Sequence, residues 1–205
     1  MAGWRMHRGT AIALARDNID TDQLIPARFM STPRSAGYGA YLLYDLRRDA
    51  KGGLLPDFPL NGHEGATVLV AGRNFGSGSS REAAVYALVD AGVRAVIAPG
   101  FGDIFAANAV NNGLLPARIP AETCAALQAS LGARAMPVEI DLDALRLEID
   151  GKRITFDIDD SWKIKLMNGW DDIDLTRSET DSIVRFRNAR KAAVPWSWPG
   201  DRARP

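Results

Sequence analysis

Residues 67–119 alternate short apolar runs with helical stretches, and this alternation limits the possible folds more than any other feature of the chain. TVLVA (67–71) reads as a buried strand. SREAAVYALVDA (80–91) reads as a helix with Val85, Leu88 and Val89 on one face. RAVIA (94–98) is a second buried strand, GDIFAANAVN (102–111) a second helix, and residues 114–119 return to extended chain. Gly92 stops the first helix and Asn112-Gly113 the second. Parallel strands need long crossovers, so a β–α–β–α–β order predicts an α/β fold with a mainly parallel core sheet. PAETCAALQASL (120–131) adds a helix with Pro120 in its first turn.

The flanks are less regular. TAIALA (10–15) predicts a strand, and the Asp- and Asn-rich stretch after it favours turns, with Asp20, Thr21 and Asp22 read as turn formers. AYLLYDLRR (40–48) predicts a short helix, and the glycines and prolines of 51–65 predict surface loop. Residues 31–65 are therefore expected to be a long, mobile excursion. LRLEI and KRITF alternate in polarity around Asp150-Gly151, which predicts a hairpin with a type I′ turn. A final helix is expected over about 176–192, and a flexible Pro- and Trp-rich tail over about 193–205. The whole chain, 1–205, is expected to form one domain.

Charge excludes several classes of partner. Lys and Arg total 25, Asp and Glu total 25, so neither nucleic acid nor an anionic membrane is expected. Cys124 is the one cysteine, with His7 and His63 the two histidines, so no disulfide and no metal held by this chain are expected. The start, MAGWRMHRG, lacks an apolar leader core, and no stretch approaches a membrane span; the expected compartment is the cytoplasm.

The loop between the first core strand and its helix carries the chemistry. GRNFGSGSSREAAVY (72–86) crowds three glycines and three serines ahead of Arg81 and Glu82. A glycine loop entering a helix N-terminus is the general geometry of an anion site, with bare backbone able to approach a ligand. Neither phosphate fingerprint fits: Gly78-Ser79-Ser80-Arg81 lacks the P-loop lysine, and Gly76-Ser77-Gly78 is not completed by a third glycine. A plainer reading is a capping box, with Ser79 as N-cap and Glu82 reaching back. The two readings are compatible. No histidine lies nearby to act as a base for a hydrolase nucleophile.

NIDTDQLIPARF (18–29), the glycine loop (72–88), VIAPGFGDIFAANAVNNGLLP (96–116) and KLMNGWDDIDLT (165–176) occur in that order. Together they resemble the small subunits of 3-isopropylmalate dehydratases, which are similar to the swivelling domain of aconitase. The resemblance implies a swivelling β/β/α fold with a C-terminal hairpin and helix. It also implies a hydro-lyase of leucine biosynthesis, active only with a large subunit whose own cysteines hold a [4Fe-4S] cluster. The implied substrate is a small hydroxy-dicarboxylate, dehydrated and rehydrated on adjacent carbons, with one iron acting as Lewis acid on the leaving hydroxyl. By the same resemblance Ser79 is the base that takes the proton next to a carboxylate. Ser80 and Arg81 bind substrate, Arg34 is a weaker match to a substrate-facing arginine, and Gly76 and Gly78 supply backbone donors. A serine alkoxide needs such donors and nearby positive charge.

This sequence departs from the family pattern around that site. Ser77 replaces a cysteine, Ala83 a histidine, Val85-Tyr86 a proline–tryptophan pair, Gly100 a serine, Gly102 an alanine and Ala106 a tyrosine. These changes leave open a paralogous subunit for another hydroxy diacid. A non-catalytic binding module of the same fold, or a phosphate or nucleotide binder, are the alternatives from other classes.

Overall fold

The computed structural model describes residues 2–198, and residues 199–205 of the expected tail lie outside the described residues. The described chain divides after Trp170 into two compact units.

The first unit is built on a seven-stranded sheet ordered β4-β3-β2-β1-β5-β6-β7. Its strands are β1 (Met6–Leu14), β2 (Val68–Ala71), β3 (Ala95–Ala98), β4 (Leu115–Arg118), β5 (Met136–Asp141), β6 (Arg146–Ile149) and β7 (Lys152–Thr155). Strands β1 to β4 pair in parallel, as the alternation predicted. Strands β5 to β7 join antiparallel. The two halves meet on β1, whose Ala11–Leu14 pairs with β2 while Met6–Ala11 pairs with β5.

Burial follows this division. VLVA and AVIA are buried at every position, as strands covered on both faces must be. RLEI alternates exposed and buried. Alternate residues of the parallel strands feed two separate apolar layers. Ile12, Leu14, Leu69, Ala71, Val96 and Ala98 face a layer shared with α3 (Ala83–Asp90). Ala11, Ala13, Val68, Val70, Ala95 and Ile97 face the layer built with α5 (Ala121–Leu131) and with Leu166 of α6 (Asp160–Asn168). Helix α4 (Asp103–Asn111) serves both, through Phe105 and Ala109 on one side and Val110 on the other.

Several local expectations change. No helix forms over 40–48; a 3₁₀ turn at Gly39–Tyr41 is followed by turns in which Leu43 takes φ +50°, outside helical space. Leu42 and Leu43 are fully buried, and Phe58 and Leu60 join them, the latter within the short α2 (Pro59–Gly62). The stretch 51–65 is thus only partly surface: it lays two side chains into the first layer. The composition did not mark β5, where Pro137 breaks the run, or α6. Pro137 is accommodated because pairing with β6 starts one residue later, at Val138. The hairpin forms as read, with Asp150 (φ +52°) and Gly151 (φ +69°) both in the left-handed region that a type I′ turn requires.

In the second unit the helix expected over 176–192 is two helices, α7 (Asp172–Ser178) and α8 (Thr180–Ala193). Asp171 caps α7, accepting from the N–H groups of Ile173 (2.8 Å) and Asp174 (2.9 Å). A 3₁₀ turn at Pro195–Ser197 follows α8.

Cys124 lies on α5 against the sheet, its thiol donating to the Ala71 carbonyl at 3.2 Å. Burial, with the nearby Asp17 charge second, pushes this thiol up to about 11. The thiolate is the reactive form. At pH 8 the native chain is expected to react with a thiol-specific disulfide reagent about 100-fold more slowly than the urea-unfolded chain. Equal rates in the two states would contradict this placement.

Candidate active site

The carboxyl ends of β1, β2 and β3 feed three loops to one edge of the sheet, the edge where α/β proteins gather ligands. The glycine loop is the middle one. On one side, Asn18 N–H donates to Arg73 O (2.9 Å), Gly76 N–H to Ile19 O (2.7 Å) and Thr21 N–H to Ser77 O (2.9 Å). On the other, Phe75 N–H donates to Gly100 O (3.1 Å) and Gly102 N–H to Phe75 O (2.9 Å). The loop is therefore sewn between two neighbours, with short parallel pairings Asp20–Ser77 and Phe75–Phe101. Side chains extend the first seam. Asp17 accepts from Arg73 N–H (3.0 Å) and Arg73 Nε (2.9 Å), and Asn74 Nδ2 donates to Asn18 Oδ1 (3.0 Å).

Gly76 takes φ +73°, and a Cβ there would lie 2.1 Å from Cγ of Phe105. Gly102 sits so close that its Cβ would meet the Gly76 carbonyl oxygen at 2.6 Å. The glycine at 102, where the family pattern has alanine, thus sets how tightly the two loops approach. Of the two glycines expected to offer backbone donors, Gly76 has its N–H engaged by Ile19. Gly78 is exposed at φ +98°, and its N–H has no partner among the described residues.

The expected capping box does not form. Helix α3 starts at Ala83 with Glu82 as its uncapped N-cap, and Glu82 Oε1 instead accepts from Asn112 Nδ2 at 2.8 Å. Ser79 is drawn away by Thr21: its N–H donates to Thr21 Oγ1 at 3.2 Å, and the two hydroxyl oxygens are 3.0 Å apart. Thr21 opens α1 (Thr21–Leu24) and is 1% exposed. Its neighbour Asp22 pairs with the Arg81 guanidinium. Thr21 and Asp22 thus do more than shape a turn. Asp20 is the turn former, capping α1 through the N–H of Gln23 at 2.7 Å. Composition could not separate the three, because the partners of Thr21 and Asp22 lie far along the chain: Thr21 and Ser79 are 58 residues apart.

The result is an exposed Ser79 hydroxyl held from behind, with Ser80 exposed next to it and Arg81 oriented by a carboxylate. A recess of about 200 Å³ lies alongside, lined by residues 76–79 and 102–105. Such a site offers a hydroxyl, a backbone donor and a cation to a small acid. Arg34 is placed elsewhere, against α3. Its guanidinium carbon lies 3.5 Å from the centre of the Tyr86 ring, and its Nη2 is 3.7 Å from Asp90 Oδ1. Burial, then the hydrogen bond to Glu82, pushes the Tyr86 phenol up, so Arg34 stacks on a neutral ring. No hydrogen bond or ion pair joins Arg34 to Ser79, Ser80 or Arg81 among the described residues.

Among the described residues, no group of three or more His, Cys, Asp or Glu side chains is placed to hold a metal ion. None of the described helices is long and apolar enough to cross a membrane.

The aconitase C-terminal domain family matches residues 1–122, the stretch that carries β1 to β4 and the three-loop edge. The 3-isopropylmalate dehydratase small subunit of Shouchella clausii is 42% identical over 190 residues, spanning 92% of this chain and 96% of that protein. The Rhodospirillum centenum small subunit is 43% identical over 194 residues, with 92% and 95% covered. A crystal structure of 3-isopropylmalate dehydratase from Methanocaldococcus jannaschii superposes with a TM-score of 0.63 at 28% identity, covering 89% of this chain and 99% of that one. The chain belongs to the 3-isopropylmalate dehydratase small-subunit family.

Substituting Gly76→Ala combines left-handed strain with overpacking against Phe105, so a loss of about 3 kcal/mol is expected in urea unfolding. A loss below about 0.5 kcal/mol would show that the two loops do not meet as described.

Proposed function

We propose that this chain supplies the proton-transferring serine of a two-subunit hydro-lyase that interconverts 2-isopropylmalate and 3-isopropylmalate in the cytoplasm. The observation that carries this reading is the Ser79 environment: an exposed hydroxyl backed by the buried Thr21 hydroxyl and followed by Arg81. Family membership supports it.

Each residue has a role set by its chemistry. Arg81 has five N–H donors in a planar fork, and its contact with Asp22 leaves others for a substrate carboxylate. Ser80 is exposed beside it and adds a hydroxyl donor. The Gly78 N–H, one residue before Ser79, has no acceptor among the described residues. With the carboxylate held, Ser79 as its alkoxide takes the proton from the carbon next to it and becomes the hydroxyl, the C–H electron pair forms the double bond, and the group on the adjacent carbon leaves as hydroxide. Rehydration with the opposite regiochemistry, Ser79 returning the proton, completes the isomerisation. A serine works as a base only where donors and positive charge stabilise its alkoxide. Arg34, stacked on Tyr86, is assigned to the substrate's approach, as part of the 31–65 excursion.

A [4Fe-4S] cluster would supply Lewis-acid help to the leaving hydroxyl. This chain's residues do not fit one: its single cysteine is buried and donates to a backbone carbonyl. We assign the cluster to the large-subunit partner. A second reading keeps the chemistry and changes the diacid. It is favoured by Ala106, which stands where the family pattern has tyrosine, one residue beyond the Phe105 that lines the recess beside Ser79.

The purified chain is expected to be inactive alone and to isomerise 3-isopropylmalate when combined anaerobically with the large subunit. Ser79→Ala should lower kcat by about 10²- to 10⁴-fold, the range for a lost general base. Near-normal turnover in that variant would remove Ser79 from this role. A panel of malates with different side chains decides between the two diacid readings.

A further inference from the structure

We infer that Thr21 is a positioning residue for this reaction, its hydroxyl donating a hydrogen bond to Ser79 Oγ. The inference rests on the proposed role of Ser79 and concerns what makes that serine competent.

A threonine hydroxyl has one proton to give and two lone pairs to receive with. Thr21 Oγ1 accepts the Ser79 N–H at 3.2 Å, which fills one lone pair. Its own proton then needs an acceptor, because Thr21 is 1% exposed and water does not reach it freely. Ser79 Oγ, at 3.0 Å, is the one acceptor within hydrogen-bonding distance among the described residues. The reverse arrangement, with Ser79 donating, would leave the Thr21 proton buried without a partner. The bond therefore runs from Thr21 to Ser79, and the Ser79 proton points out toward the exposed side of the loop.

This direction matters for the chemistry. A hydroxyl that already accepts from behind is polarised, and the same bond strengthens when the oxygen becomes an alkoxide. Thr21 is well placed to stay put during the change. Its N–H is fixed to Ser77 O at 2.9 Å, and its carbonyl accepts from Ile25 N–H at 3.1 Å. Glycine at 78 is set by its backbone, at φ +98°, and not by crowding: a Cβ there would make only an ordinary 3.5 Å contact with Thr21 Oγ1. The serine is thus gripped at both N–H and Oγ by one atom of a different loop.

The test uses the full-length chain combined with its large subunit and 3-isopropylmalate, comparing Thr21→Val, Thr21→Ser and Ser79→Ala. Valine keeps the volume and removes the hydroxyl; serine keeps the hydroxyl. Thr21→Val is expected to lower kcat about 10- to 100-fold, the scale of one hydrogen bond to a charged oxygen. KM should stay within about threefold, since ground-state binding is not touched. Thr21→Ser should recover most of the rate. A second readout needs no turnover: amide hydrogen exchange at Ser79 in the full-length chain should speed up in Thr21→Val and return in Thr21→Ser.

Thr21→Val with wild-type kcat, or Thr21→Ser as slow as valine, would overturn the inference while the drop in Ser79→Ala leaves the functional reading intact. Full activity in Ser79→Ala would overturn both. Should Thr21→Val not fold, the serine variant decides: it must keep both the rate and the Ser79 amide protection.

Discussion

The hydrogen bond from Gly76 N–H to the Ile19 carbonyl, 2.7 Å long, fixes the geometry on which the site depends. It anchors the glycine loop to the segment after β1, at the crossing where Phe75 is simultaneously held by Gly100 and Gly102 on the other side. A loop free at both flanks would lose about 1–2 kcal/mol of conformational entropy per residue on being ordered around a ligand. Here that ordering comes with the fold. Phe75, fully buried, packs edge-on to Phe105 at 5.4 Å and ties the crossing to the first apolar layer. The residues beyond the crossing, 78–81, are then free to face outward while their backbone path is set by what precedes them.

The glycines gain a meaning that a ligand-centred view would not give them. Gly76 and Gly102 are small because two backbones and a phenyl ring meet there, with no room for a methyl group. Of these three glycines, Gly78 is the one whose N–H has no partner among the described residues. Likewise the polar residues around the loop divide by what they reach. Asp17 and Asn18 hold Arg73 and Asn74 at the start of the loop and Asp20 caps α1, whereas Thr21 and Asp22 reach the side chains of Ser79 and Arg81. One six-residue stretch thus both pins the loop and tunes its reactive end.

The parallel half of the sheet was legible because strands covered on both faces must be apolar throughout, and VLVA (68–71) and AVIA (95–98) are. Asp150-Gly151 was legible because a two-residue turn needs φ > 0 at both positions and few pairs tolerate it. Strand β5 was hidden by Pro137, and the packed turns at Leu42-Leu43 by a pattern that reads equally well as helix. The ordered motifs pointed to Ser79, Ser80 and Arg81, but local spacing misassigned Ser79 and Glu82 to a capping box. Their actual partners, Thr21 and Asn112, are 58 and 30 residues away. Thr21 and Asp22 read only as turn formers for the same reason: a turn-forming composition says nothing about what the turn touches.

The seam between residues 18–21 and 73–77 holds the site together, and native-state amide hydrogen exchange reads that seam directly. The Gly76 and Thr21 amides, which close it from its two sides, are predicted to exchange together, both strongly protected despite lying outside the sheet. Exchange of the Gly76 amide at the rate of an open glycine loop, with Thr21 protected or not, would contradict it.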